Sequence, residues 1–289
     1  MKKFLNNDRN QGVCYIVMAA FFFAGMSFFV KKAGNLPVME KCFFRNLVAM
    51  FVSWMMLLKS PEGMKIKKGC VPGLFMRSIF GTIGMIFNFY ALSYMNISDA
   101  NMLNKLAPFF SIIMSIFILK EIPGRIDILA VMLAFSGALL VIKPSFQMET
   151  VSAFIAAAGG CSAGVAYTFV RKLGMQGERS PVIVMFFSTF SMAVTTPFVI
   201  FDYHPMELWQ FVTLLCAGIA ATGGQLCVTK AYTKAPAKDI SVFDYSQVIF
   251  AAILGMLFLG QMPDILSVIG YVVIIGAAFL RWYLTRKVT

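Results

Sequence analysis

Long apolar runs alternate with short polar breaks from one end of the chain to the other. Ten runs approach the ~20 residues that an α-helix needs to cross a ~30 Å hydrocarbon core. They lie near residues 12–30, 38–58, 70–93, 99–119, 126–142, 151–170, 181–201, 208–230, 239–259 and 264–282. The pattern predicts ten transmembrane helices. No polar stretch between runs exceeds about a dozen residues, which leaves no room for a soluble domain. The first run follows a short Lys/Arg tail and has no small-residue cleavage pattern after it, so it reads as a retained helix and not a signal peptide.

The runs are not independent of one another. Sliding the sequence against itself by 140 residues aligns "ALSYMNISDANMLNKLAPFF" with "AYTKAPAKDISVFDYSQVIF", in a register that continues to Leu119 opposite Leu259 and Pro123 opposite Pro263. The same shift places "FVKKAG" (29–34) opposite "FVRKLG" (169–174), and Thr82 and Gly84 opposite Thr222 and Gly224. One shift shared by separate helices marks an internal repeat, although the second helix of each half needs a gap of about four residues to align. The expected units are residues 1–144 and 145–289, five crossings each. Five is odd, so the second unit enters the membrane from the opposite side. Inverted repeats of this kind build many secondary transporters, with the substrate site near the midplane where the halves meet.

Four stretches carry a family resemblance: "FYALSY" (89–94), "SDANMLNKLAPFF" (98–110), "LKE" (119–121) and "GALLVIKP" (137–144). They resemble the drug/metabolite transporter superfamily, in its EamA-type ten-helix branch, and the similarity spans essentially the whole chain. The resemblance implies an all-α membrane protein of two inverted five-helix units around a central cavity, moving small metabolites across a bacterial plasma membrane. Two positions depart from the pattern in the second half, where Val248 stands opposite Pro108 and Gln261 opposite Glu121. Resemblance at this level does not select a substrate.

Composition agrees with a membrane protein: 59% of the 289 residues are hydrophobic and 13% charged. The formal net charge of +12 would suit a nucleic-acid partner, but its distribution argues otherwise. Eighteen of the 25 Lys and Arg fall on the side of the termini, and only Lys31, Lys32 and Lys143 on the other. That bias is the positive-inside rule, which places both termini in the cytoplasm. The six cysteines lie in or beside apolar runs with no C-x-x-C spacing, so they predict neither a disulfide framework nor a metal knuckle. His204, the one histidine, reads as a solvated loop residue.

The remaining cations, Lys41, Arg45, Arg77 and Lys105, fall inside predicted helices. A charge facing lipid costs ~2.5 to ~15 kcal/mol depending on how it is measured, so such side chains should face a wet cavity or a partner. Counting ~1.5 Å per residue from the helix ends predicts two tiers. Glu40, Arg45 and Lys105 form the outer tier, Arg77 and Asp244 the inner one. This depth matching favours an Arg77–Asp244 pair over Lys105–Asp244. Arg45 could pair with Glu40, and Glu40 and Lys41 could reach the interface. Pro108 lacks an N–H and should free the Asn104 carbonyl one turn earlier, which then needs a polar neighbour.

The candidate substrate-binding set is therefore Lys105, Asn101 and Asn104 from the fourth helix and Asp244, Tyr245 and Gln247 from the ninth, with Arg45 and Arg77. Asn88, Tyr90, Gln225, Tyr15 and Tyr167 are polar groups that could supply specificity to the same pocket. Asp244 is the candidate for carrying a coupling proton. "GCSAG" (160–164) satisfies G-x-S-x-G. It lies within an apolar run and matches the small residues Ala20 and Ala24, so it reads as close helix packing and not as a serine nucleophile. No Walker sequence, H-E-x-x-H or G-x-G-x-x-G occurs, so no motif supports ATP-driven transport and a gradient must supply the energy.

The reading is a secondary transporter, with export the expected direction, of a small polar or amphiphilic metabolite such as an amino acid or derivative. It needs no cofactor or metal, has the bilayer and a small molecule as partners, and leaves room for a homodimer. Import of a nucleoside-like or vitamin-like metabolite by aromatic stacking is the alternative, and an intramembrane enzyme is a third.

Overall fold

The computed structural model describes residues 8–120, 124–142, 148–235, 240 and 243–287. Every regular element among them is a helix: α1 (Asp8–Lys32), α2 (Val38–Leu58), α3 (Val71–Tyr94), α4 (Ile97–Asn104), α5 (Ala107–Ile118), α6 (Arg125–Ile142), α7 (Met148–Met175), α8 (Ser180–Phe201), α9 (Leu208–Lys234), α10 (Ser246–Leu259) and α11 (Ile265–Lys287). They account for the ten crossings, with α4 and α5 as two pieces of the fourth. Eight stretches meet the length and apolarity of a membrane span, and the fifth and ninth crossings contribute shorter apolar helices.

Polarity is arranged for lipid. Phe117, Leu257, Val272 and Phe201 are more than two-thirds exposed, whereas Arg45, Asn46, Arg77, Lys105, Asp244 and Gln247 are buried. In hydrocarbon the apolar side chains need no shelter and the polar ones do.

The packing carries the repeat. α1 lies along α9 while α3 lies along α7, so the first crossing pairs with the eighth and the third with the sixth. Exchanging the halves converts one pair into the other. α2 packs on α8, and α6 on α11, each pair being its own image under the exchange. α7 packs against α4 and α5, as α1 packs against α10. The architecture is two inverted five-helix units; the proposed boundary at residue 144 falls outside the described residues.

Helix breaks also repeat. The fourth crossing is interrupted at Lys105–Leu106, with Pro108 in the first turn of α5, where its missing N–H costs nothing. The ninth turns at Tyr245, opposite Lys105 under the same shift, although Val248 replaces the proline. Both crossings then end on a left-handed residue at matching positions, Lys120 (φ 57°) and Gly260 (φ 61°). The glycines of "GCSAG" serve close approach, as expected. A Cβ on Gly160 would lie 2.8 Å from the Leu103 carbonyl oxygen, and one on Gly164 would lie 2.6 Å from that of Ala107. Ala20 and Ala24 are fully buried in the equivalent helix of the first half.

Candidate functional site at the meeting of the two halves

Breaking a helix inside a membrane leaves carbonyls without intrahelical donors. At the first break the Lys105 carbonyl takes a donor from outside its own helix. It accepts the Tyr245 hydroxyl at 2.9 Å, so the break in the first half is completed by the equivalent residue of the other half. Beside it the Lys105 ammonium donates to Asp244 Oδ2 at 2.7 Å, with side chains only 9% and 6% exposed. The ion pair therefore bridges the two units. This corrects the depth argument, which favoured Arg77 as the partner of Asp244. A uniform rise per residue fails for helices that break beside the very residues being placed.

One cavity collects most of the candidates. Its wall includes Lys105, Asn104, Asp244, Gln247, Arg45, Arg77, Asn88, Gln225 and Tyr167, together with Phe23, Met26, Phe89 and Phe187. Apart from Glu40, the members of both supposed tiers open onto this single space. Asn101 and Tyr245 lie behind the wall and hold it. Asn101 Oδ1 accepts the Ser27 hydroxyl at 3.0 Å and the Gln247 amide at 2.5 Å, tying α1 to both broken crossings. Tyr15 and Tyr90 are elsewhere: Tyr15 lies under the Lys230 ammonium at 5.4 Å, and Tyr90 packs on Tyr94 with ring centres 4.7 Å apart. Neither lines the cavity.

Glu40 does not pair with Arg45. Its Oε1 accepts the backbone N–H of His204 at 2.6 Å, which ties the start of α2 to the loop before α9. Lys41 is 1% exposed and donates to the Gly34 carbonyl at 2.7 Å and to Ser93 Oγ at 3.2 Å. Gln261, the apparent departure from the repeat, accepts the Ile97 N–H at 3.1 Å and so caps α4. Glu121 lies outside the described residues.

Arg45 and Arg77 have no carboxylate partner among the described residues. Arg45 donates from Nη1 to Asn46 Oδ1 at 2.9 Å and to the weak acceptor Met85 Sδ at 3.0 Å, and from Nη2 to Gln225 Oε1 at 3.3 Å. Arg77 lies over the ring of Phe187, 3.8 Å from its centre, with Nε and Nη1 unpartnered. The Arg45 guanidinium reaches the same ring at 5.3 Å. Phe187 was not foreseeable, because nothing in the sequence separates it from the other 29 of the 30 phenylalanines. Asn88 Oδ1 is also buried without a partner. The wall thus offers three cations, one carboxylate and several amides. It can bind and orient an anionic group, whereas no nucleophile is paired with a base among its residues.

Comparison with known proteins agrees with this arrangement. The model of the EamA-like transporter family matches residues 10–143 and again residues 150–283, one match per half. The pseudopaline exporter CntI of Pseudomonas aeruginosa is 30% identical over 269 residues, covering 92% of this chain and 94% of its own. Solute carrier family 35 member G1 of Mus musculus is 26% identical, over 94% of this chain and 79% of its own. A crystal structure superposes with a TM-score of 0.71 at 16% identity, over 96% of this chain and 98% of the other, which speaks to the fold alone.

Proposed function

The chain belongs to the EamA-like transporter family, and from that premise we propose that it exports a small metabolite bearing an amino-acid head group, an α-carboxylate with an ammonium. The observation that carries this reading is the Lys105–Asp244 pair on the cavity wall. Each half supplies one partner, so a zwitterion entering between them offers a carboxylate to Lys105 and an ammonium to Asp244. The exchange replaces one buried ion pair by two and lets the halves separate without abandoning a charge. Rocking of the two units about the site then gives alternating access.

Asp244 is the group on which a coupling proton would travel, because a proton and the substrate ammonium would compete for the same carboxylate. Export follows the relative named as a pseudopaline exporter. The charge bias supports cytoplasmic termini, and a bacterial relative supports a bacterial plasma membrane. Aromatic stacking of a nucleoside-like ligand is less well supported, because Tyr167 already stacks on Tyr232 at 4.8 Å and Phe187 on Arg77. Catalysis has little support, since among the described residues no histidine or carboxylate is a hydrogen-bond partner of Ser162.

The test is efflux from proteoliposomes preloaded with labelled amino acids and their N-substituted derivatives, with and without an imposed proton gradient. Wild-type protein should release a zwitterionic member of the set in a gradient-dependent manner, and Lys105→Ala and Asp244→Asn should not. Efflux that ignores both substitutions would refute the site.

A further inference from the structure

Lys105 and Asp244 account for an amino-acid head group but leave two cations of the same cavity unused. We propose that Arg45 and Arg77, gathered around Phe187, form a second subsite that takes an additional oxyanion of the substrate, a side-chain carboxylate or phosphoryl group. The cargo is then an acidic amino-acid derivative and not a neutral one. This inference rests on the head-group reading above and extends it.

Four observations carry it. First, both guanidiniums are nearly inaccessible, 4% and 2% exposed, and neither has a carboxylate partner among the described residues. Second, their donors are under-used. Arg77 leaves Nε and Nη1 without acceptors and Arg45 leaves Nε, while one acceptor of Arg45 is a thioether. A buried donor group without acceptors is costly, and natural sites retain it where a ligand completes the set. Third, like charges share one ring, an arrangement that an intervening anion relieves and that a purely structural role would not favour. Fourth, the wall is cut to admit the guanidinium: a Cβ on Gly81, one turn beyond Arg77, would lie 2.1 Å from Arg77 Nη1. Both arginines, Gly81 and Phe187 line the cavity that Lys105 and Asp244 also face, so one molecule can reach both subsites. The planar fork of arginine suits carboxylate and phosphoryl oxygens through paired hydrogen bonds.

The experiment measures heat stability and binding of the full-length protein in detergent with three probes that share one head group: glutamine, glutamate and O-phosphoserine. The subsite predicts that glutamate or O-phosphoserine binds at least about tenfold tighter than glutamine, and whichever does so identifies the oxyanion. In Arg77→Gln the advantage disappears and the probes bind alike. Arg77→Lys keeps a point charge without the fork and should retain part of it. Should Arg77→Gln not fold, Gly81→Ala displaces the guanidinium while keeping its charge, and predicts the same loss of preference. Equal binding of all three probes to the wild type, no binding by any of them, or a preference that survives both Arg77→Gln and Gly81→Ala overturns the inference. Failure of the head-group reading looks different: a preference for the acidic probes that Lys105→Gln and Asp244→Asn leave untouched.

Discussion

Removing the ammonium of Lys105 should do two separable things. In Lys105→Met the Asp244 carboxylate, 6% exposed, loses the partner it holds at 2.7 Å. Abandoning one member of a buried pair costs ~3–5 kcal/mol. Here the lower figure applies, because the pair borders a cavity that water can enter. About 3 kcal/mol corresponds to roughly a 100-fold shift in the unfolding equilibrium. The double variant Lys105→Met/Asp244→Leu removes both charges and both desolvation costs, so it should return to within about 1 kcal/mol of the wild type. The cycle therefore predicts a coupling energy of about 2 kcal/mol or more. Equilibrium unfolding of purified protein in mixed micelles reads the stabilities, and proteoliposome efflux reads function. The double variant should be folded and inactive. Additive stability losses, with the double variant worse than either single one, would refute the claim that these two charges exist for each other across the halves.

Several other outcomes follow from the packing. Lys120 adopts a left-handed backbone conformation that costs a non-glycine residue ~1–2 kcal/mol, so Lys120→Gly should raise thermal stability by about 1 kcal/mol, and Gly260→Ala at the equivalent position should lower it by a similar amount. Gly164→Val drives a side chain into the Ala107 carbonyl and should cost about 1–3 kcal/mol or prevent folding, whereas Gly276→Ala, with no atom within 4 Å of its Cβ, should be neutral or slightly stabilising in the same unfolding assay. Ser162→Ala should leave efflux unchanged; abolished efflux with intact folding would revive an enzymatic reading.

The ten crossings were legible because bilayer thickness imposes a length that apolar runs must meet. The repeat was legible because symmetric packing constrains small and turn-forming residues at matching positions, as at Thr82 and Thr222 or Gly84 and Gly224. Lys105, Asp244 and Gln247 could be singled out because a polar side chain in such a segment needs a reason. The pairing among these charges was not legible. It depends on where helices break, and the ninth crossing breaks at Tyr245 without a proline to announce it. Glu40 and Lys41 show a second limit: they find backbone groups at 2.6 and 2.7 Å, partners that no side-chain inventory reveals. Tyr15 and Tyr90 show a third, since a ring belongs to a pocket only if its helix is rotated toward it, and a helix apolar on all sides encodes that rotation weakly. Phe187 was hidden by the same abundance.

Transport by this chain requires that the cavity between the inverted halves hold the cargo through Lys105. A thermal-shift screen of the purified protein against a metabolite library, run in parallel on Lys105→Ala, measures this directly. Zwitterionic hits that stabilise the wild type should lose their effect in the variant. Hits that stabilise both proteins equally would place the binding site elsewhere.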